Sequence, residues 1–74
     1  MRIYKVFGQG SYSSGLAIVA ADSPKQAEAV VLGGDLYGFN DSAMYLTISS
    51  VKAIRGASIP RKKPGLLTWH VYIE

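Results

Sequence analysis

The feature that most constrains the fold of this 74-residue chain is the run at residues 16–32, LAIVAADSPKQAEAVVL. It opens with six consecutive apolar residues, far short of the roughly 20 that a membrane-spanning helix needs and typical of a buried strand. Ser23 and Gln26 have the spacing of a capping box, and Pro24 suits the first position of a helix. We therefore predict a strand that turns into a helix beginning at Pro24 and ending at the glycines 33–34.

The predicted helix is amphipathic. Ala27, Val30 and Val31 share one face, whereas Lys25 and Glu28 lie on the opposite face. A helix of roughly nine or ten residues is not stable alone in water. We expect its apolar face to dock on a sheet.

Three further segments have the apolar patterning of strands, namely residues 2–7, 44–54 and 66–73. The parity of the apolar positions changes at residues 49–50, which predicts a bulge there, and Gly56 is expected to end the third strand. The order strand, strand, helix, strand, strand predicts an α+β fold, a four-stranded antiparallel sheet with one helix packed on one face.

One helix leaves the second face of such a sheet uncovered. Hydrophobic residues make up 49% of the chain and charged residues 18%, although a domain of this size has little interior. We expect the second face to be apolar and to form a homodimer or bind a protein partner. By alternation along the fourth strand, Leu66 shares this face. The residues assigned to self-association or partner binding are Tyr4, Tyr45, His70 and Tyr72.

Length and composition restrict the class of protein. The length predicts a single compact domain, residues 1–74. The chain has no cysteine, and its single histidine, His70, cannot complete a zinc site, so we expect no metal, no cofactor and no small-molecule substrate. No signal-peptide pattern is visible, so we expect a cytoplasmic protein without a membrane span.

The sequence also argues against an enzyme. No feature orients Ser11, Ser13 or Ser14 toward His70 as a nucleophile and its base. The carboxylates of residues 1–49 are scattered over predicted cap, helix and loop positions and form no acid–base pair: Asp22, Glu28, Asp35 and Asp41.

Basic residues concentrate near the carboxyl end. Residues 50–74 carry five basic groups and one acid, whereas residues 1–49 carry three basic groups and four acids. Such a segment can bind nucleic-acid phosphates or an acidic protein surface, or it can be a solvated hairpin tip that protects a sheet edge. The candidate macromolecule-binding residues are Lys52, Arg55, Arg61, Lys62 and Lys63, and the candidates for base stacking are Tyr37, Phe39 and Trp69.

Residues 8–15, GQGSYSSG, are the predicted connection between the first two strands. With their flanks they resemble the glycine-rich loop of protein kinases, but Ser13 stands where the third glycine belongs and no other kinase motif follows. We expect a flexible hairpin loop. The alternative is a loop whose amides bind an anion or a nucleotide, with the candidate residues Gly8, Gly10, Ser11, Ser13 and Gly15.

The run VAADSPKQAEAVV after an N-terminal strand resembles a recurring pattern in short uncharacterised bacterial and bacteriophage proteins. The resemblance covers about residues 2–32, implies an accessory protein of a phage or mobile element that binds a host protein, and transfers no functional residues. We therefore expect a small non-enzymatic interaction module, homodimeric and binding a protein. The alternatives are a nucleic-acid-binding protein that uses residues 52–63 and a small-ligand or nucleotide binder that uses residues 8–15.

Overall fold

The protein is described by a computed structural model that covers residues 1–10, 13–33 and 47–73. Its elements are β1 (Arg2–Gln9), β2 (Ser13–Ala21), α1 (Pro24–Gly33), β3 (Thr47–Ser58) and β4 (Gly65–Ile73). The strands form one antiparallel sheet in the order β3-β1-β2-β4. The predicted α+β architecture is confirmed.

The two central strands, β1 and β2, form a hairpin that is longer than predicted. The register pairs Gly8 directly with Gly15, and both are buried. The amide of Gly10 donates to the carbonyl of Ser13 over 2.8 Å. In the described part of this segment, residues 8–9 and 13–15 are therefore strand. The pairing that begins at the apolar residues continues through residues whose own strand propensity is low.

The bulge predicted at residues 49–50 is confirmed. Phe7 pairs with Ser50 but Gly8 pairs with Ile48, so Ser49 is the extra residue on β3. The Ser49 hydroxyl donates to the carbonyl of Phe7 over 3.2 Å.

A larger irregularity lies near the end of β3. Arg2 pairs with Ser58 and Tyr4 with Ala53, so β3 places residues 54–57 where β1 has a single residue. We call residues 54–57 the wide bulge.

Gly56 lies within the wide bulge and has a positive φ of 74°. The prediction that β3 ends at Gly56 was wrong. The left-handed backbone of this glycine turns the chain locally, and pairing with β1 resumes at Ser58.

Strand β4 contains a third irregularity. Ile18 pairs with Thr68 and Val19 with Leu66, so Leu67 is an extra residue on β4. The shift places Leu66 on the same face of the sheet as Val19, and there Leu66 packs against the core. Simple alternation placed Leu66 on the opposite face, and the bulge is the reason that this assignment was wrong.

Helix α1 begins with the predicted cap. The amide of Gln26 donates to the Ser23 hydroxyl over 3.1 Å, and the amide of Ala27 donates to the Ser23 carbonyl over 3.0 Å. The Gln26 side chain accepts from the amide of Asp22 over 2.6 Å, one residue before the expected donor.

The core lies between α1 and the central hairpin. The docking face of the helix is the predicted one, with Ala27 and Val31 fully buried and Val30 packed beside them. Lys25 and Glu28 are exposed. The buried core residues are Tyr4, Val6, Ala17, Val19, Ala21, Ala27 and Val31.

Parts of several predictions lie outside the described residues. These are the start of the third strand at residues 44–46 and the side chains of Ser11, Asp35, Tyr37, Phe39, Asp41 and Tyr45. In the ranges that are described, no helix has the length and apolar character needed to cross a membrane.

Candidate functional surface

The register decides which side chains share a face of the sheet, because directly opposed residues of an antiparallel ladder point to the same side. Tyr4 and Val6 of β1 contact the helix core, so their cross-strand partners lie on the helix side. The other side is the helix-free face. Its described residues include Ile3, Lys5, Phe7, Leu16, Ile18, Ser50, Lys52, Thr68, His70 and Tyr72.

The predicted partner face is only partly reproduced. Tyr4 lies on the helix side with 2% of its surface exposed, so it contributes nothing to an exposed surface. Tyr45 is outside the described residues. His70 and Tyr72 do lie on the helix-free face, and their ring centroids are 4.4 Å apart with the planes tilted by 58°.

Two lysines stand together on the helix-free face. Lys5 of β1 and Lys52 of β3 are directly opposite each other, and both are exposed. Like charges in this relationship repel and destabilise the sheet. They border an open depression of about 250 Å³ whose other lining residues are Phe7, Leu16 and Ser50.

Aromatic rings adjoin the lysine pair. Phe7 is 36% exposed and follows Lys5 by two residues on the same face of β1. Phe7 pairs with Leu16, and Leu16 pairs with His70, so Phe7 and His70 lie in one row across the sheet. With strands about 4.8 Å apart, their backbones are about 10 Å apart. The face thus presents cations on the β1–β3 side and rings from β1 to β4.

Sequence reasoning did not find Phe7 or Lys5 as site residues. Only the pairing of β1 with β3 brings Lys5 to Lys52, which was predicted as a binding residue. Trp69, which was named for base stacking, pairs with Ala17 of the core and therefore lies on the helix side.

The remaining basic residues gather at one end of the sheet. The first residue of β1, the last of β3 and the first of β4 meet there because these strands alternate in direction. The connection of residues 59–64 crosses this end. It is hydrogen-bonded to Met1, the residue before β1: the Met1 amine donates to the Ile59 carbonyl over 2.8 Å, and the Ile59 amide donates to the Met1 carbonyl over 2.9 Å. We call this end, with Arg2, Arg55, Arg61, Lys62 and Lys63, the basic end.

Within the basic end, two arginines are held in different ways. The guanidinium of the exposed Arg61 lies against Gly65, on the side where a β-carbon would stand. Arg55 belongs to the wide bulge, and with Arg2 it lines a cavity of about 520 Å³.

Charge is strongly segregated in the described part of the chain. The strands and the β3–β4 connection contain no Asp or Glu, and the described acids are Asp22 and Glu28, in the turn before α1 and on α1 itself. The basic residues of the strands and connection are Arg2, Lys5, Lys52, Arg55, Arg61, Lys62 and Lys63. This imbalance gives the described strands and the β3–β4 connection a positive potential, which attracts anions.

The described residues of the glycine-rich segment are less suited to bind an anion than the sequence predicted. Gly8 and Gly15 are buried opposite each other, and the amide of Gly10 is used within the hairpin. Ser13 is a residue of β2, and Ser11 is not described.

Within residues 1–10, 13–33 and 47–73, no group of three or more His, Cys, Asp or Glu side chains is arranged to hold a metal ion. Comparisons with protein-family models, with curated proteins and with solved structures find no match. The geometry of the helix-free face and of the basic end therefore carries the functional inference.

Proposed function

We propose that this chain is a non-enzymatic interaction module that binds single-stranded nucleic acid on its helix-free face. The observation that carries the proposal is the opposed pair Lys5 and Lys52 beside the exposed ring of Phe7, in a sheet whose strands contain no acid. Proteins that bind single strands combine cations for the backbone with aromatic rings on which bases stack.

The helix-free face of the sheet suits a single strand better than a duplex. Reading a duplex in the major groove requires a protruding helix or a two-stranded ribbon. The exposed face of α1 carries Lys25 and Glu28, whose charges cancel, so the helix offers no basic surface to a groove. Unstacked bases, in contrast, can lie on Phe7, His70 and Tyr72 while their phosphates contact the lysines.

The same charges make a face-to-face homodimer less favourable than nucleic-acid binding. A two-fold axis would bring the Lys5–Lys52 pairs of both copies into one interface. No carboxylate of the described strands is available there to neutralise them. A protein partner would have to be acidic and would leave the stacking surface without a specific role. A nucleic-acid ligand also fits a cytoplasmic location, which we propose for this chain.

The test compares charge removal on the sheet with charge removal on the helix. The variant K5Q/K52Q removes the lysine pair, and the single variants K52Q and K25Q are compared with each other because both remove one exposed lysine. Fluorescence anisotropy with a mixed-sequence 12-nucleotide DNA or RNA strand, and with the matching duplex, measures affinity at several salt concentrations.

We expect the single strand to bind more tightly than the duplex. For K5Q/K52Q we expect about a tenfold loss of affinity and a salt slope reduced by about 1.4, since each phosphate contact on a single strand contributes about 0.7. K52Q is expected to lose more affinity than K25Q. Equal binding by K5Q/K52Q and the unmodified chain, or no binding to any strand, would refute the proposal.

The aromatic part of the surface is tested separately. Tyr72 is 58% exposed, so Tyr72→Ala should leave the fold intact while it removes a ring from the face. We expect an affinity loss of about 1–3 kcal/mol with little change in salt slope, because stacking does not depend on counterion release. Circular dichroism of the variant verifies that the sheet is unchanged.

A further inference from the structure

The wide bulge builds a cavity that the nucleic-acid surface does not use. Four residues of β3 stand opposite one residue of β1, and the extra chain turns at Gly56 with its φ of 74°. The cavity of about 520 Å³ lies within the size range of small-molecule sites, roughly 300–1,000 Å³. Its lining residues are Arg2, Ala53, Ile54, Arg55, Gly56, Ala57 and Ser58.

Two arginines from different strands line this cavity. Arg2 is the first residue of β1, and Arg55 is in the bulge of β3. A guanidinium presents a planar fork of donors that matches two oxygens of a phosphate, and it keeps its charge at all physiological pH values. Two such groups carry twice the charge of a phosphodiester and about match the charge of a phosphate monoester at neutral pH, −1.5 to −2.

The surroundings reinforce the positive charge. None of the described residues that line the cavity is acidic. Asp22 is the described acid at this end of the sheet, since it follows Ala21, the cross-strand partner of Arg2. Among the described residues, this end of the sheet therefore carries five cations and one carboxylate.

We propose that the cavity between Arg2 and Arg55 binds a phosphate monoester. Its volume exceeds that of a phosphate, so it can also hold part of an attached nucleoside. The phosphate can be the terminal phosphate of a nucleic-acid strand or that of a free nucleotide. The inference goes beyond the proposed function, because the site is at the basic end and not between Lys5 and Lys52.

The experiment monitors backbone amides by two-dimensional NMR during titration with adenosine monophosphate, with inorganic phosphate and with adenosine. We expect adenosine monophosphate to shift the amides of residues 53–58, inorganic phosphate to shift the same amides more weakly, and adenosine to leave them unchanged. Equal shifts with adenosine, or no shift with adenosine monophosphate, would overturn the proposal.

Two variants test the assigned arginines against a matched control. Arg55→Gln and Arg2→Gln each remove a cation of the cavity, whereas Arg61→Gln removes a cation of the same end that does not line it. We expect each of the first two to weaken adenosine monophosphate binding at least tenfold and R61Q to weaken it less than threefold. Equal losses in all three would mean that general charge, and not a site, attracts the anion. The dispersion of the NMR spectrum shows whether each variant is folded.

Oligonucleotides distinguish the two sources of the phosphate. If a 5′-phosphorylated or 3′-phosphorylated strand binds at least tenfold more tightly than the same strand with hydroxyl ends, the site receives a strand terminus. If the ends make no difference but adenosine monophosphate binds, the site receives a free nucleotide. The variant K5Q/K52Q separates the proposals, because it should weaken every strand and leave binding of adenosine monophosphate unchanged.

Discussion

Lys5 of β1 and Lys52 of β3 lie directly opposite each other on the face of the sheet that α1 leaves uncovered. This relationship lowers stability in the free protein, because like charges at opposed positions repel. On the proposed function, a phosphate bound between the two ammonium groups would remove the repulsion. Stability and ligand binding would then make opposite demands on the same pair of residues.

The variant Lys52→Glu should be more stable than the unmodified chain. It replaces a repulsive pair with an attractive one, which we expect to raise the free energy of unfolding by about 0.5–1 kcal/mol, while single-strand binding is lost. Urea denaturation at low salt measures the change. Lys52→Gln should lie between the two, and the differences should shrink in 1 M NaCl, where charges are screened within about 3 Å. A K52E variant no more stable than the unmodified chain at low salt would contradict this account of the pair.

Two glycines with equally open surroundings should respond in opposite ways to alanine. A β-carbon at Gly56 or at Gly33 would meet no atom within 4 Å, but Gly56 alone of the two has a positive φ. We expect Gly56→Ala to cost about 1–2 kcal/mol through backbone strain. Gly33→Ala should be neutral or stabilising by up to about 1 kcal/mol, because Gly33 is the last residue of α1. Thermal unfolding measures the Tm of both variants. Similar changes in Tm would mean that the backbone φ of the glycine does not determine the effect of the substitution on stability.

Neighbouring residues of α1 provide a test of the docking face. Val31 is fully buried against the sheet, whereas Leu32 is 50% exposed. Val31→Ala should lower the free energy of unfolding by about 1–3 kcal/mol, because it leaves a cavity in the core. Leu32→Ala should change it by no more than about 0.5 kcal/mol. Chemical denaturation measures both changes in the free energy of unfolding. A larger loss for Leu32→Ala than for Val31→Ala would contradict the docking face described above.

The uncharged edge strand β4 leads us to predict that two copies of the chain associate through it. Among the described strands, β3 and β4 are the edges, and β3 is protected by Lys52, Arg55 and its bulges, whereas β4 carries no Lys, Arg, Asp or Glu. Uncharged edge strands pair readily with other strands. We expect light scattering to show a concentration-dependent dimer formed by β4 edges, which would leave the Lys5–Lys52 pairs apart.

A lysine placed on this edge should weaken that dimer. Thr68→Lys adds a charge to β4, and Ala29→Lys adds the same charge to the exposed side of α1 as a control. Only Thr68→Lys should shift the molecular mass measured at high concentration toward that of the monomer. A chain that stays monomeric at every concentration, or equal behaviour of the two variants, would argue against pairing through β4.

The elements that local chemistry specifies were predictable from the sequence. The Ser23 cap, the buried positions of α1 and the bulge at Ser49 each depend on residues within a few positions of one another. The assignments that failed depend on partners distant in sequence. Gly8 and Gly15 extend the hairpin because they pair with each other, and Tyr4 is buried because α1 covers its side of β1.

The candidate surface was predictable only in part for the same reason. A run such as residues 61–63 is visible as a cluster along the chain, and its charge predicts an anionic partner. The cavity at Arg2 and Arg55 requires both the pairing of β1 with β3 and the bulge in β3, which bring together residues far apart in the sequence. No local pattern encodes that proximity.

By itself, the sequence determined the number and type of the elements, the cap of the helix and the excess of basic residues near the carboxyl end, because periodicity, capping and composition act over short distances along the chain. The tertiary structure alone decided the strand order, the opposition of Lys5 and Lys52 and the cavity at the wide bulge. These depend on register, and a shift of one residue would turn every side chain of a strand to the other face.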